Sequence, residues 1–67
     1  MRRLKRVMAS LRVGTMVVVP AYKGGDREGY RPAPLVYRYA RDYGYTLAVV
    51  GYAEEAGKPV AFMRRVA

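Results

Sequence analysis

Arginine set among tyrosine is the first chemistry this chain offers. Residues 35–52, LVYRYARDYGYTLAVVGY, hold Tyr37, Tyr39, Tyr43, Tyr45 and Tyr52, five of its seven tyrosines, with Arg38 and Arg41 threaded between them. A guanidinium forks onto phosphate and stacks on flat rings, and a phenol ring offers a face to an unstacked base. Further candidates flank this stretch. Arg2, Arg3, Lys5, Arg6 and Arg12 crowd the first twelve residues, which contain no acid. Lys23, Arg27 and Arg31 follow in a glycine- and proline-bearing segment with Tyr22 and Tyr30 near its ends, and Arg64 stands near the C-terminus. The expected nucleic-acid contacts are Arg2, Arg3, Lys5, Arg6, Arg12, Lys23, Arg27, Arg31, Arg38, Arg41, Arg64, Tyr22 and Tyr30, with whichever of Tyr37, Tyr39 and Tyr43 face outward, the rest of 35–52 being scaffold.

Covalent or acid–base chemistry finds little to work with. Hydrolysis or group transfer needs a nucleophile with a base, paired carboxylates or a metal cluster. Histidine and cysteine are absent and Ser10 is the only serine. The acids are Asp26, Glu28, Asp42, Glu54 and Glu55, all in expected loops or turns. Lys23 and Arg27 neutralise Asp26 and Glu28 more readily than those two make a catalytic pair, and so small a core leaves no dry cleft to separate two carboxyl pKa values. The expectation is a binder: no enzyme, no catalytic residues, no metal, no cofactor and no small-molecule substrate.

Charge decides the class of partner. Thirteen Lys and Arg, ten of them Arg, stand against five acids, a net charge of +8 in 67 residues. The first twelve residues contribute +5 of it. A clustered basic surface is the electrostatic footprint of a phosphate backbone. The length sets one domain with a thin core, since a chain of this size buries only about 60% of its unfolded surface. Without Cys or His, neither disulfide nor ordinary zinc site supports it. Asn, Gln, Cys, Trp, His and Ile are all missing. Loss of Asn, Gln and Cys with charge retained is a thermophile-like composition. No run approaches the roughly 20 apolar residues of a membrane span, and Arg6 and Arg12 interrupt the apolar stretch a secretory signal requires. The expected location is the cytoplasm.

The elements that must position these residues read as follows. In residues 1–12, Leu4, Val7, Met8 and Leu11 recur at the spacing of one helical face, with Gly14 placed to stop a helix. This is a basic arm or short amphipathic helix ahead of a β-rich domain, residues 13–67. Residues 15–20, TMVVVP, predict a strand at least partly covered on both faces, with Pro20 marking its end or an edge position. Residues 21–34 predict a long loop. Residues 35–40 and 45–52 predict two strands joined by a turn at 41–44, the second of them central in the sheet. Pro34 followed by Leu35, Val36, Tyr39, Ala40 and Tyr43, with Gly44 after, fits a helix as the alternative. Residues 45–53 and 59–66 predict a hairpin around Gly57, with Glu54 and Glu55 as solubilising turn charges. In its last strand Val60, Phe62, Arg64 and Val66 share one face and Ala61, Met63 and Arg65 the other. The fold class is mostly β: a small SH3-like barrel or four-stranded antiparallel meander with a basic N-terminal helix or arm. The alternative is α+β, with residues 34–43 helical on a three-stranded antiparallel sheet.

Residues 12–25, RVGTMVVV leading to Gly24-Gly25, resemble the opening of SH3-like small barrels in ribosomal proteins of the KOW kind, where a V-G-x-h-V-x-V strand leads into a basic, glycine-bearing loop. The same piece is loosely similar to the seven-kilodalton chromatin proteins of thermophilic archaea, which are Lys-rich and use a Trp that this chain lacks. The first resemblance implies a ribosomal protein that contacts ribosomal RNA and neighbouring ribosomal proteins. The second implies a protein that coats duplex DNA. A third expectation, drawn from the tyrosines themselves, is a protein–protein module in a larger complex, since Tyr and Arg are favoured interface anchors.

Overall fold

The computed structural model describes residues 2–24 and 29–67. Two helices, α1 (Arg2–Ala9) and α2 (Pro34–Tyr43), pack against a sheet of four strands, β1 (Met16–Lys23), β2 (Tyr30–Pro32), β3 (Leu47–Glu55) and β4 (Lys58–Arg65). The sheet order is β2-β1-β4-β3, and every pair is antiparallel. The mostly β expectation with a basic N-terminal helix therefore holds. Its two edges lie close together. Tyr30 on β2 stacks on Tyr52 on β3 with ring centroids 5.8 Å apart, and the Tyr30 hydroxyl donates to Glu54 Oε2 at 2.8 Å. Three strand spacings of a flat sheet would separate those edges by about 14 Å. The sheet is thus curled into half a barrel, closed at one end by side chains.

Residues 34–43 form helix, not the strand expected over 35–40. Pro34 fills a first-turn position, where its missing N–H is no loss. At the other end Gly44 turns left-handed (φ 78°), its N–H bonding Arg41 O at 3.1 Å while Tyr45 N–H reaches Ala40 O at 2.9 Å. That Schellman pattern satisfies the last carbonyls. Val36 and Ala40, one turn apart, are buried. The polar N-cap whose absence favours a strand is indeed missing, and packing replaces it: Ala33 is buried and its N–H bonds Pro20 O at 3.0 Å.

Other boundaries move for related reasons. Pro20 does not end β1, which runs on to Lys23. A strand residue's N–H and C=O point to one side, and Pro20 O faces Ala33, so its missing donor points away from β4. The expected 21–34 loop contracts accordingly, because Ala21–Lys23 pair with Tyr30–Pro32. Tyr45 lies outside β3, and β3 is an edge strand rather than the central one, with Val49 and Val50 exposed. The turn between β3 and β4 is two residues long, Ala56 and Gly57, both at positive φ (51° and 77°), as a type I′ hairpin requires.

The core lies between the helices and the inner face of the sheet. Val17, Val19 and Ala21 from β1 and Ala61 and Met63 from β4 meet Leu4 and Met8 of α1, Leu11 after it, and Val36 and Ala40 of α2. The N-terminal segment is thus packed helix rather than free arm. On the outer face of the sheet Met16 and Val18 are each 48% exposed and Phe62 is half-buried, so that face of β1 is only partly covered, with Arg3, Leu4 and Val7 of α1 beside Val18 and Pro20.

Candidate nucleic-acid interface

Side-chain parity on two short helices sorts the cations. Burial of Leu4, Met8 and Leu11 turns Arg3, Lys5 and Arg6 of α1 outward, and Arg12 follows on the exposed link to β1. Burial of Val36 and Ala40 does the same for Arg38 and Arg41 of α2. The helices are neighbours, and a shallow cleft of about 460 Å³ between them is lined by Lys5, Leu35, Arg38, Tyr39, Asp42 and Tyr43. Lys5 and Arg38, 33 positions apart in sequence, thus share one surface. Asp42 is the only acid there.

A second group forms where β1, β2 and α2 converge. Tyr22 pairs across the ladder with Arg31, and both line a groove of about 720 Å³ with Pro32, Pro34, Tyr37 and Tyr52. Lys23, also exposed, ends β1 beside it. Arg64 is exposed but stands apart on the outer face of the sheet, opposite Met16 and Ala48. Arg2 belongs to α1, and Arg27 lies outside the described residues.

The sequence-predicted tyrosines divide. Tyr22 keeps an open ring at 56% exposure. Tyr30 is engaged: one ring face rests on Tyr52 and its hydroxyl is held by Glu54. That hydrogen bond to a carboxylate raises the Tyr30 pKa above its ordinary value, with desolvation and the Glu54 charge adding to it. Glu54 is therefore a strut between the two sheet edges, not the turn charge expected. Its neighbour Glu55 is exposed at the end of β3.

Arg65, absent from the expected contacts, has a structural role. Its guanidinium carbon lies 4.6 Å from the centre of the Tyr45 ring, while Nη1 donates to Leu11 O at 2.7 Å and Nε to Ala67 O at 3.2 Å. Tyr45, 8% exposed, donates its hydroxyl to Met8 O at 2.8 Å. Together these side chains hold the carbonyls that end α1 and pin the basic helix to the sheet. Burial raises the Tyr45 pKa, opposed by the Arg65 charge and aided by Tyr43. Of Tyr37, Tyr39 and Tyr43, which the sequence left open as outward-facing rings, Tyr37 at 47% and Tyr43 at 38% are exposed. Helical spacing of 37 and 41 would have placed Tyr37 beside Arg41, had the segment been taken as a helix.

Among the described residues, the side chains of Arg3, Lys5, Arg6, Arg12, Lys23, Arg38, Arg41, Lys58 and Arg64 make no ion pair or hydrogen bond. Chemically, the arrangement offers cations in reach of a polyanion and open rings beside them. No helix among the described residues is long and apolar enough to cross a membrane. No protein-family model, no curated protein and no solved structure matches this chain.

Proposed function

We propose that this is a small basic RNA-binding protein, a structural component of the ribosome that contacts ribosomal RNA through arginine and lysine on phosphate and tyrosine on unpaired bases. One observation carries the reading. Two helices far apart in sequence gather Lys5 and Arg38 around a common cleft, with Arg3, Arg6 and Arg41 outward on the same helices, and among the described residues none of these side chains forms an ion pair. Such a surface costs self-repulsion in the free protein and gains counterion release on a polyanion. The binding requires no cofactor, metal or catalytic group. The absence of cysteine suits a reducing cytoplasm.

The outer face of the sheet favours a second contact of a different kind. Met16 and Val18 on β1 are each 48% exposed there, an apolar surface that a neighbouring protein of the same particle would cover. Affinity for a structured ribosomal RNA fragment, measured against a duplex DNA of equal charge across a salt series, tests the reading. A strong RNA preference with a linear log K–log salt dependence supports it. Equal or tighter binding to arbitrary DNA duplexes replaces it with a chromatin-type protein. A native complex that survives nuclease intact replaces it with a protein–protein module.

A further inference from the structure

Of the seven tyrosines, the two most exposed, Tyr22 at 56% and Tyr37 at 47%, line the same groove. They come from different elements, β1 and α2, and among the described residues neither ring stacks on another or forms a hydrogen bond. The core does not use them. Their backbones are fixed. Tyr22 is locked in a ladder opposite Arg31, and Tyr37 sits in the first turn of a helix that begins at Pro34. Pro32 and Pro34 form a stiff wall without N–H donors, and Tyr52, backed by Tyr30, forms another wall. Open rings held on rigid elements beside apolar walls make a stacking platform.

The charge around the groove selects its occupant. Arg31 is its only charged lining residue, and no described carboxylate lines it. Arg41 lies one helical turn beyond Tyr37 on the same face of α2, whereas Arg38 turns toward the cleft with α1. A ligand that is flat and apolar at its centre and negative at its margins is a nucleotide. We infer that the Tyr22–Tyr37 groove takes one or two unpaired bases of a single-stranded RNA segment, with Arg41 on a flanking phosphate. This rests on the RNA-binding reading and makes it specific: duplex contacts belong to the Lys5–Arg38 cleft, and unpaired bases to the groove.

The test is fluorescence anisotropy with two labelled RNAs, a single-stranded octamer and a fully paired hairpin, on the wild type and on Tyr22→Leu, Tyr37→Leu and the double variant. Leucine keeps apolar bulk at exposed positions, and circular dichroism checks that each variant is folded. Each tyrosine that stacks a base should cost roughly 5- to 150-fold in octamer affinity. Hairpin affinity and the salt slope should not change. If the wild type binds both RNAs and the folded double variant holds the octamer within twofold, the groove is not a base site although the protein binds RNA. If the wild type binds only the hairpin, the inference also falls. If it binds neither, the functional reading fails and takes the groove with it. Should a proline-rich peptide bind the wild type but not the double variant, with the octamer unbound, peptide docking replaces the inference.

Discussion

Tyr45→Phe removes one oxygen atom from the joint that fixes the basic helix to the sheet. The hydroxyl is buried and 2.8 Å from Met8 O, so the variant keeps the ring, its packing and the Arg65 stack while deleting one hydrogen bond. Met8 O retains a longer bond from Leu11 N–H at 3.4 Å, so it is not left without a partner. The cost is then the net value of one buried bond, about 1 kcal/mol, rather than the larger penalty of an orphaned carbonyl. For a domain of this size that lowers Tm by about 4–8 °C. Thermal unfolding followed by circular dichroism at neutral pH reads it, with Tyr43→Phe, whose ring is 38% exposed, as the control expected to stay near the wild type. The same oxygen has a pH signature. Burial raises the folded-state pKa of Tyr45 above its ordinary 10.0, so the folded state holds this proton more tightly than the unfolded state. That contribution is fully present below pH 10 and is lost as pH climbs through the raised folded value. Tyr45→Phe should therefore lose less stability than the wild type above pH 10, with Tyr30 supplying the remaining alkaline loss. A Tm within 1 °C of wild type and an unchanged alkaline profile would refute the role given to this hydroxyl.

Four further outcomes follow from the same geometry. Arg65→Ala should lose about 1–2 kcal/mol with its bond to Leu11 O and its stack on Tyr45, whereas Arg64→Ala, exposed and unbonded, should stay within about 0.5 kcal/mol in parallel urea titrations. Met63→Ala, at a site with no exposure, should cost about 2–5 kcal/mol and broaden or abolish the thermal transition of so small a domain. Ala56→Asn should stabilise by about 0.5–1 kcal/mol, because φ of 51° strains alanine and suits asparagine ahead of Gly57; scanning calorimetry would show a raised Tm. Arg38→Ala with Arg41→Ala should flatten the log K–log salt line for RNA by about 0.7–0.9 for each phosphate no longer neutralised, without lowering Tm.

Much of the surface and some of the elements were legible residue by residue. The helical spacing of Leu4, Val7, Met8 and Leu11 allows α1, and the packing of Leu4 and Met8 into the core decides for a docked helix over a free arm. Gly57 marks the β3–β4 hairpin, and period two divides Arg64 from Arg65. Residues 34–43 were not so readable. Tyrosine and valine favour a pleat locally, while Val36 and Ala40 at one helical turn have little weight until a core exists to bury them. Pro20 likewise reads as a strand end until its missing donor is known to face away from β4.

By itself the sequence determined a small basic β-rich chain with an amphipathic segment in front, since composition and short-range period need no partner to be read. Tertiary structure alone decided which strand lies at the edge, that Glu54 braces two sheet edges through Tyr30, and that Arg65 serves the fold while Arg64 does not. It alone brought Lys5 to Arg38 and Tyr22 to Tyr37. Each of those depends on proximity between residues distant along the chain, and long-range closure is not encoded in the local pattern of either partner.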